Sequence, residues 1–370
     1  MAKGLIVTWF NSGRNYGQTL QAYALQEKVS DLGHNVQLIN FGSNISRPCG
    51  WGKVIKKYLK LKNIDKALIQ KKFDGFVFDN LYITPYFGSN EEIYKYIDDN
   101  CIDFVIVGSD QVWNPYNIES IYYLSGLTSD YIRKIAYAVS LCDLKRKNKF
   151  YDYPEVKEWV SKFDSIYTRE NTGRDIIKEF FDRESDVVLD PTLLYSGEEW
   201  INKLTLRKKK VKKYFLFYLF NITSEVKKYI EQIEKEGIYE IHYGNVLMNQ
   251  SKKTKNWSPI DFLEEIYNAE EIITDSFHGT AFSILFHKNF WVIDNGKDEN
   301  SDPYYNFDRM QTLLQHINLQ DRILDSSKEY KKSIDYSCVD SMLATIRKES
   351  IEKLNQSIIG ERVIKHARRI

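Results

Sequence analysis

The feature of the sequence that most constrains its fold is a repeated alternation of a short β-like run, a loop and an amphipathic helix. Residues 5–9 predict a first strand, and the helix that follows carries Leu20, Leu25 and Val29 on one face before it ends at Gly33. Residues 36–41 then predict a second strand. Because such a βαβ unit is typical of a parallel sheet covered by helices, the chain is predicted to belong to the α/β class.

A charged stretch divides this alternation into two parts. Six of the seven residues at 207–213 are basic, and the alternation of strands and helices restarts beyond them. We therefore predict an N-terminal α/β domain, 1–197, and a C-terminal α/β domain, 198–330, which face each other across a cleft. An aromatic and basic, mostly helical insertion is predicted at about 43–100. A helical tail, 331–370, is predicted to pack back on the first domain.

Composition excludes several classes of protein. With 43% hydrophobic residues the chain is globular, and a net charge of +1 gives no general case for nucleic acid as a partner. The four cysteines lie far apart without a CxxC pair, which argues against a zinc knuckle and a disulfide framework. No signal-peptide core follows the N-terminus, and the longest apolar stretch is far below the roughly 20 residues that cross a bilayer. These features predict a cytoplasmic protein.

Polar residues follow the first predicted strands, where ligands gather in parallel sheets. Asn15 and Gly17 open a helix whose backbone N–H groups could hold an anion, although an ordinary tight turn explains them equally well. The loop has neither the GxGxxG dinucleotide fingerprint nor a Walker A lysine. Residues 108–115 could bind the hydroxyls of a sugar and stack on its apolar face, with a strand-end turn as the alternative. The side chains concerned are Ser109, Asp110, Gln111, Trp113 and Asn114.

Two later strand ends carry residues with catalytic chemistry. Arg169 has a guanidinium fork that suits phosphate or carboxylate, although a salt bridge with Glu170 or another neighbour is the more common role. His278 opens a helix, where the positive helix end favours the neutral ring that general acid–base catalysis needs near pH 7. A structural histidine that caps a strand–helix turn is the alternative. Gly279 permits close approach of a ligand to the backbone.

In their order and spacing, these elements resemble the polysaccharide pyruvyl transferase family. The resemblance extends from the first strand to about Leu324, which is most of the chain. The segments that carry it are residues 15–17 with 20–25, 108–115, 137–140, 169–170 with 190–194, 276–279, and 309–314 with 321–322. Single segments are modestly specific, whereas their joint order is highly specific.

The resemblance implies two facing Rossmann-like domains in the GT-B-like arrangement of glycosyltransferases. It also implies an enzyme that takes the pyruvate unit of phosphoenolpyruvate and forms a cyclic ketal across two hydroxyls of a sugar, with release of phosphate. Neither a metal nor an organic cofactor is implied. The acceptor would belong to a surface polysaccharide, such as capsule or exopolysaccharide, or to its precursor.

The resemblance also assigns roles to residues of this chain. His278 matches the catalytic histidine in an acid–base role, and Arg169 is expected to act with it. The residues expected to bind the donor are Lys297, Arg309, Ser276, Gly279, Asn15 and Gly17, and those expected to bind the acceptor are Ser109, Asp110, Gln111, Trp113, Asn114 and Ser140. Ser276 stands where many members have arginine, so Arg169, Lys297 or Arg309 is expected to supply that contact with the donor.

Two other functions stay open on the sequence alone. A GT-B-type glycosyltransferase that uses a nucleotide sugar would need an acidic residue for the ribose, and Glu270 and Glu271 precede the strand end instead of following it. A non-catalytic sugar-binding protein is the second alternative. It is also open whether the acceptor is lipid-linked, and whether the basic run touches an anionic membrane face or is a solvated linker, the more common case.

Overall fold

Two parallel β-sheets organise the protein, and the α/β class predicted from the alternation is confirmed. The computed structural model describes residues 1–10, 15–42, 64–141, 144–209, 212–220, 222, 224–237, 239–245, 257–294, 307–324 and 333–360.

The first sheet contains, over these ranges, seven parallel strands in the order β3-β2-β1-β4-β5-β6-β7. They are β1 (Lys3–Val7), β2 (Asn35–Phe41), β3 (Ile83–Phe87), β4 (Phe104–Val107), β5 (Arg133–Val139), β6 (Ser165–Thr168) and β7 (Asp186–Val187). All four residues of β4 are buried, as expected of a parallel strand that is covered on both faces. The order reverses between β1 and β4, and ligands of such Rossmann-like sheets bind in the crevice beyond the carboxyl ends of the strands there.

Helices cover the two faces of the first sheet. They are α1 (Tyr16–Asp31), α2 (Ile64–Asn80), α3 (Asn90–Asp99), α4 (Glu155–Ser161), α5 (Asn171–Phe181) and α6 (Gly197–Leu204). α1 begins where the side chain of Asn15 accepts a hydrogen bond from the amide of Gln18. It ends just before Gly33, whose φ of +86° lets the chain turn into β2.

The second sheet has four parallel strands in the described ranges, in the order β11-β10-β8-β9. They are β8 (Tyr214–Leu219), β9 (Glu240–Asn245), β10 (Glu271–Thr274) and β11 (Asn289–Val292). The associated helices are α7 (Ser224–Glu236), α8 (Pro259–Asn268), α9 (Phe277–Leu285), α10 (Asp308–His316) and α11 (Tyr336–Ile359). α8 begins with a capping box, in which Ser258 and Asp261 each accept the other's backbone amide.

Aromatic packing joins the two parts of the chain. Tyr16 of α1 stacks on Phe262 of α8 with ring centroids 4.8 Å apart, and it also contacts Tyr218 of β8. All three rings are buried. The first turn of α1 is therefore held against the second sheet by apolar contacts, next to the carboxyl ends of the strands.

The C-terminal helix α11 packs on the first sheet. Ser350 accepts a hydrogen bond from the amide of Leu189 at 3.1 Å, and Arg347 donates to the carbonyl of Leu193 at 2.7 Å. Lys353 forms an ion pair with Asp186 at 2.9 Å. The helix thus fixes the chain that leaves β7.

The region predicted as a mostly helical insertion contains α2 and α3 in its described part, with β3 between them. Residues 43–63 lie outside the described ranges, but β3 is an edge strand of the first sheet and pairs with β2. Pro85 within this short strand hides its alternation in the sequence. An edge strand tolerates proline because the missing N–H can face away from the ladder.

Several described cations of the basic run between the domains pair with carboxylates. Arg207 and Lys209 both contact Glu264, at 3.0 and 2.9 Å, and Lys213 contacts Glu270 at 2.8 Å. These ion pairs fit an interdomain linker that is anchored to α8 and the start of β10. Among the helices in the described ranges, none is long and apolar enough to cross a membrane.

Candidate functional site

Polar side chains from several strand ends meet at the carboxyl edge of the first sheet, and one histidine from the second domain reaches them. Ser109 and Asp110 follow β4, Ser140 follows β5, Arg169 and Glu170 follow β6, Asp190 lies beyond β7, and His278 comes from α9. All are at most 8% exposed. The site is therefore assembled from residues that are far apart in sequence.

Asp190 is the centre of this network. Its Oδ2 accepts hydrogen bonds from Arg169 at 2.7 Å and from the Ser109 hydroxyl at 2.9 Å. Its Oδ1 accepts from the amide and the hydroxyl of Thr192 at 3.0 and 2.7 Å. Burial would raise the pKa of Asp190, but His278 and Arg169 outweigh burial and hold it well below its usual range. Asp190 is therefore an anion at neutral pH.

Arg169 is held between carboxylates and an aromatic ring. Besides its bond to Asp190, its second terminal nitrogen lies 3.4 Å from Asp110 Oδ1, and the guanidinium lies 4.5 Å from the centre of the Phe277 ring. Burial lowers the pKa of Arg169, but Asp190 and Asp110 raise it overall. The fork that was predicted to clamp the donor is thus occupied by two aspartates, and Arg169 holds those side chains in place.

His278 lies in the first turn of α9, which Ser276 caps by accepting the amide of Gly279 at 3.2 Å. The Nε2 atom of His278 lies 3.8 Å from Asp190 Oδ1, which is within ion-pair distance but too long for a hydrogen bond. This nitrogen is buried and has no hydrogen-bond partner in the described part of the chain. A buried imidazole nitrogen without a partner is poised to exchange a proton with a ligand.

Gly17 makes room for the imidazole ring. A Cβ atom at position 17 would lie 2.0 Å from Nδ1 of His278, a distance that no side chain tolerates. The first turn of α1 therefore packs directly on the ring. Gly279 has a related role, because a Cβ there would lie 2.4 Å from the hydroxyl oxygen of Thr274 at the end of β10.

Glu170 is a second ionisable group beside the network, and sequence reasoning treated it only as a neighbour of Arg169. Its Oε1 accepts the amide of Leu141 at 2.9 Å, whereas its Oε2 is buried without a hydrogen-bond partner in the described ranges. Burial raises the pKa of Glu170 to about 7, against the opposing effects of Arg169, the Leu141 amide and Arg309. Glu170 is thus protonated in a large fraction of molecules near neutral pH.

The segment around α10 closes the site from the other side. Asp308 and Thr312 accept hydrogen bonds from the amides of Thr172 and Asn171, at 3.0 and 3.3 Å, in the first turn of α5. Arg309 follows Asp308 and is near enough to lower the pKa of Glu170. Lys297, the other predicted donor ligand, lies outside the described residues.

The structure corrects the predicted role of Trp113. Its side chain is fully buried and stacks on Tyr123 with centroids 5.3 Å apart, and its indole N–H donates to the carbonyl of Tyr122. Because no face of the ring is open, Trp113 belongs to the core and cannot stack on a sugar. Asn114, which is also buried, shapes the turn by accepting the amide of Tyr116 at 3.0 Å.

The remaining predicted acceptor ligands stay near the network. Ser109 binds Asp190, Asp110 binds Arg169, and Gln111 is buried next to them in the chain. The hydroxyl of Ser140 is buried without a hydrogen-bond partner among described residues. Asn15 and Ser276, predicted as donor ligands, act as helix caps at the starts of α1 and α9.

Asp190, the centre of this network, lies in a segment that carries the family resemblance, but it was not among the predicted site residues. Asp190 precedes Pro191 and Thr192, which is the usual pattern of a residue that caps a turn, and it does cap that turn through Oδ1. The second oxygen, which holds Arg169 and Ser109, has no local signature in the sequence.

A doubly wound first domain, a second parallel α/β domain and a histidine at their junction define a GT-B-like two-domain protein. The family profile for polysaccharide pyruvyl transferase matches residues 15–297, and the chain belongs to this family. A search of curated proteins found no match.

Solved structures with a similar fold include UDP-N-acetylglucosamine 2-epimerases. One is described as a UDP-N-acetylglucosamine 2-epimerase from Listeria monocytogenes, with 12% identity, a TM-score of 0.50, and coverage of 96% of this chain and 90% of that chain. Another is UDP-GlcNAc 2-epimerase from Neisseria meningitidis bound to UDP-GlcNAc, with 10% identity, a TM-score of 0.50, and coverage of 97% and 94%. At these identities the likeness shows the shared fold alone.

Proposed function

We propose that the protein moves the pyruvate unit of phosphoenolpyruvate onto two hydroxyls of a sugar in a surface polysaccharide or its precursor. The observation that carries this proposal is the buried Nε2 of His278, which lies beside Asp190 at the domain junction and has no hydrogen-bond partner among the described residues. Membership of the pyruvyl transferase family supports the class of reaction.

The proposed chemistry needs proton transfers that one histidine can serve. A proton added to the methylene carbon of the donor gives a methyl group and a cationic carbon, which the first hydroxyl attacks. The C–O bond to phosphate then breaks, and the second hydroxyl attacks the same carbon to close the ketal ring. The two hydroxyls release two protons, of which one replaces the proton given to carbon and the other leaves with inorganic phosphate. As the family resemblance implies, the proposed reaction uses neither a metal nor an organic cofactor.

The charges at the strand ends favour separate places for the two substrates. Asp110 and Asp190 carry two negative charges against the single positive charge of Arg169, so this edge of the first sheet suits neutral hydroxyls better than a phosphate. We place the acceptor there, with Ser140 among its ligands. The anionic donor then belongs on the side of α9 and α10, where Arg309 would supply a cation. Lys297 stays a predicted donor ligand outside the described residues.

The test is an assay with defined substrates. The protein is incubated with phosphoenolpyruvate and simple glycosides of galactose, mannose and N-acetylhexosamines, and both phosphate release and ketal formation are measured. We expect equal amounts of phosphate and ketal, and a loss of both in His278→Gln. His287→Gln is the matched control, because His287 lies beyond the far end of α9 and is half-exposed. Nucleotide-sugar cleavage without ketal formation would instead favour a glycosyltransferase.

A further inference from the structure

We propose that Asp190 is a positioning residue for His278, which orients the imidazole and stabilises its protonated form across the domain junction. The reaction that this pair would assist is the one proposed above, and the inference rests on that function. The physical basis is the way in which the carboxylate and the ring are each held from several sides.

The carboxylate of Asp190 cannot turn away from His278. Arg169 and Ser109 hold one oxygen, and the amide and hydroxyl of Thr192 hold the other. Four hydrogen bonds fix the plane of the group, which is 1% exposed. The oxygen bound by Thr192 is also the one that faces Nε2 of His278 at 3.8 Å. A movement of about 1 Å would bring these two atoms to hydrogen-bond distance.

The imidazole is confined in the same way. Its Nδ1 side packs against Gly17 of α1, where no Cβ atom would fit. Phe277 lies edge-on to the ring with centroids 5.2 Å apart, and the same Phe277 covers the guanidinium of Arg169. The first turn of α9 thus brings two adjacent side chains to the first domain, where Phe277 covers Arg169 and His278 faces Asp190.

The fixed carboxylate of Asp190 can stabilise a positive charge on His278. When His278 takes a proton from an acceptor hydroxyl, a positive charge forms next to a fixed negative charge in a buried site. The attraction between these two charges is strongest where water is excluded and where the anion is already held in place. Since Asp190 belongs to the first domain and His278 to the second, the pair is complete only when the two domains are packed together.

The test compares three variants of the full-length protein in the ketal assay. Asp190→Asn keeps the shape of the side chain and removes its charge. We expect kcat to fall by about 10²–10⁴-fold, by analogy with other buried aspartate–histidine pairs, while the KM values for both substrates change by less than about threefold. The loss of the anion should also change the pH profile of kcat.

Two controls separate positioning from folding. Thr192→Val removes one hydrogen bond to the same carboxylate but keeps its charge, so the pH profile should stay in place. Ser109→Ala removes one of the hydrogen bonds to Oδ2 of Asp190. If the orientation of this carboxylate matters, kcat should fall by about threefold to tenfold with unchanged KM. Thermal unfolding confirms that each variant is folded. If Asp190→Asn does not fold, Ser109→Ala decides, and wild-type kcat in that variant overturns the proposal.

A second readout does not depend on turnover. Nitrogen-15 NMR of labelled histidine, with the His278 signals identified by His278→Gln, reports the protonation and tautomer of the ring. We expect the His278 signals to differ between wild type and Asp190→Asn over pH 5–8, and unchanged signals would overturn the role of Asp190. Absence of ketal formation in the wild-type protein would contradict the proposed function alone, because the NMR comparison would still decide whether Asp190 acts on His278.

Discussion

At the scale of single residues, the glycine at position 17 matters as much for the geometry of the site as the polar side chains do. Gly17 lies in the first turn of α1, directly against the imidazole of His278. The sequence indicated Gly17 as a ligand of the donor, through the backbone N–H groups of a helix start. The structure adds a second reason for glycine, since any side chain would displace the ring that faces Asp190.

Gly17→Ala should therefore separate activity from stability. Alanine favours a helix by up to about 1 kcal/mol over glycine, which offsets part of the cost of the contact with His278. A displacement of the ring by about 1 Å should lower kcat by about 10²-fold. Gly75→Ala in α2 is the matched control, because a Cβ there meets nothing within 4 Å. Full activity in Gly17→Ala would show that the ring position is not critical.

The raised pKa of Glu170 predicts that the stability of the folded protein depends on pH. Its pKa is about 7 in the folded protein against 4.5 as the ordinary value, so the folded state keeps a proton that the unfolded state has released. The stability contributed by Glu170 is thus full below about pH 4.5 and is lost as pH rises to 7. The whole effect amounts to about 3 kcal/mol.

Glu170→Gln should remove this dependence, since the amide oxygen can still accept the amide of Leu141. Urea unfolding at pH 5 and pH 8 measures the free energy of unfolding of both proteins. We expect the variant to gain on the wild type by about 2.5 kcal/mol between these two pH values, because part of the effect is already lost at pH 5. Glu198→Gln, at an exposed position of α6, serves as the control and should follow the wild type. A parallel pH dependence of Glu170→Gln and wild type would contradict the assignment.

Sequence reasoning found His278 because a histidine in the first turn after a buried strand has a recognisable position. It could not find Asp190 as the centre of the site, because the contacts of Oδ2 come from Ser109 and Arg169, which are 81 and 21 residues away. The prediction that Trp113 stacks on a sugar was wrong for a different reason. Its polar neighbours suggested a binding loop, whereas its ring fills a core between Tyr123 and Phe163.

At the scale of elements, the buried strands were predictable because their apolar runs are short and continuous. The strands predicted at 5–9 and 36–41 correspond to β1 and β2, with boundaries that differ by at most two residues. β3 was missed, because its proline and exposed tyrosine do not show a buried pattern. Edge strands are only partly buried, so their sequences carry a weaker signal.

The hydrogen bond between Ser350 of α11 and the chain that leaves β7 can be tested by mutation. Ser350→Ala leaves the buried amide of Leu189 without its partner, directly before Asp190. The free energy of unfolding should fall by about 1–3 kcal/mol, the usual cost of an unsatisfied buried N–H group. Ser341→Ala, at an exposed position of the same helix, is the control and should unfold like the wild type. Equal stability of both variants would show that α11 does not support this strand end.

At the scale of the whole molecule, the two-domain α/β fold followed from the alternation in the sequence, but the site did not. Gly17, Asp190 and His278 meet only because α1 and α9 pack against each other at the junction of the two sheets. Local sequence patterns carry no information about such long-range placement. The family resemblance supplied the order of the segments, and the structure supplied their contacts.

The most direct test of the proposed pyruvyl transfer is the ketal assay in deuterium oxide, with the methyl group of the product analysed by mass spectrometry and NMR. Ketal formation turns the methylene carbon of phosphoenolpyruvate into a methyl group, so each product methyl should carry one deuterium from solvent. We expect one labelled ketal for each phosphate released, and neither product from His278→Gln. Release of phosphate with free pyruvate alone, or a labelled ketal from His278→Gln at the wild-type rate, would contradict the role assigned to His278.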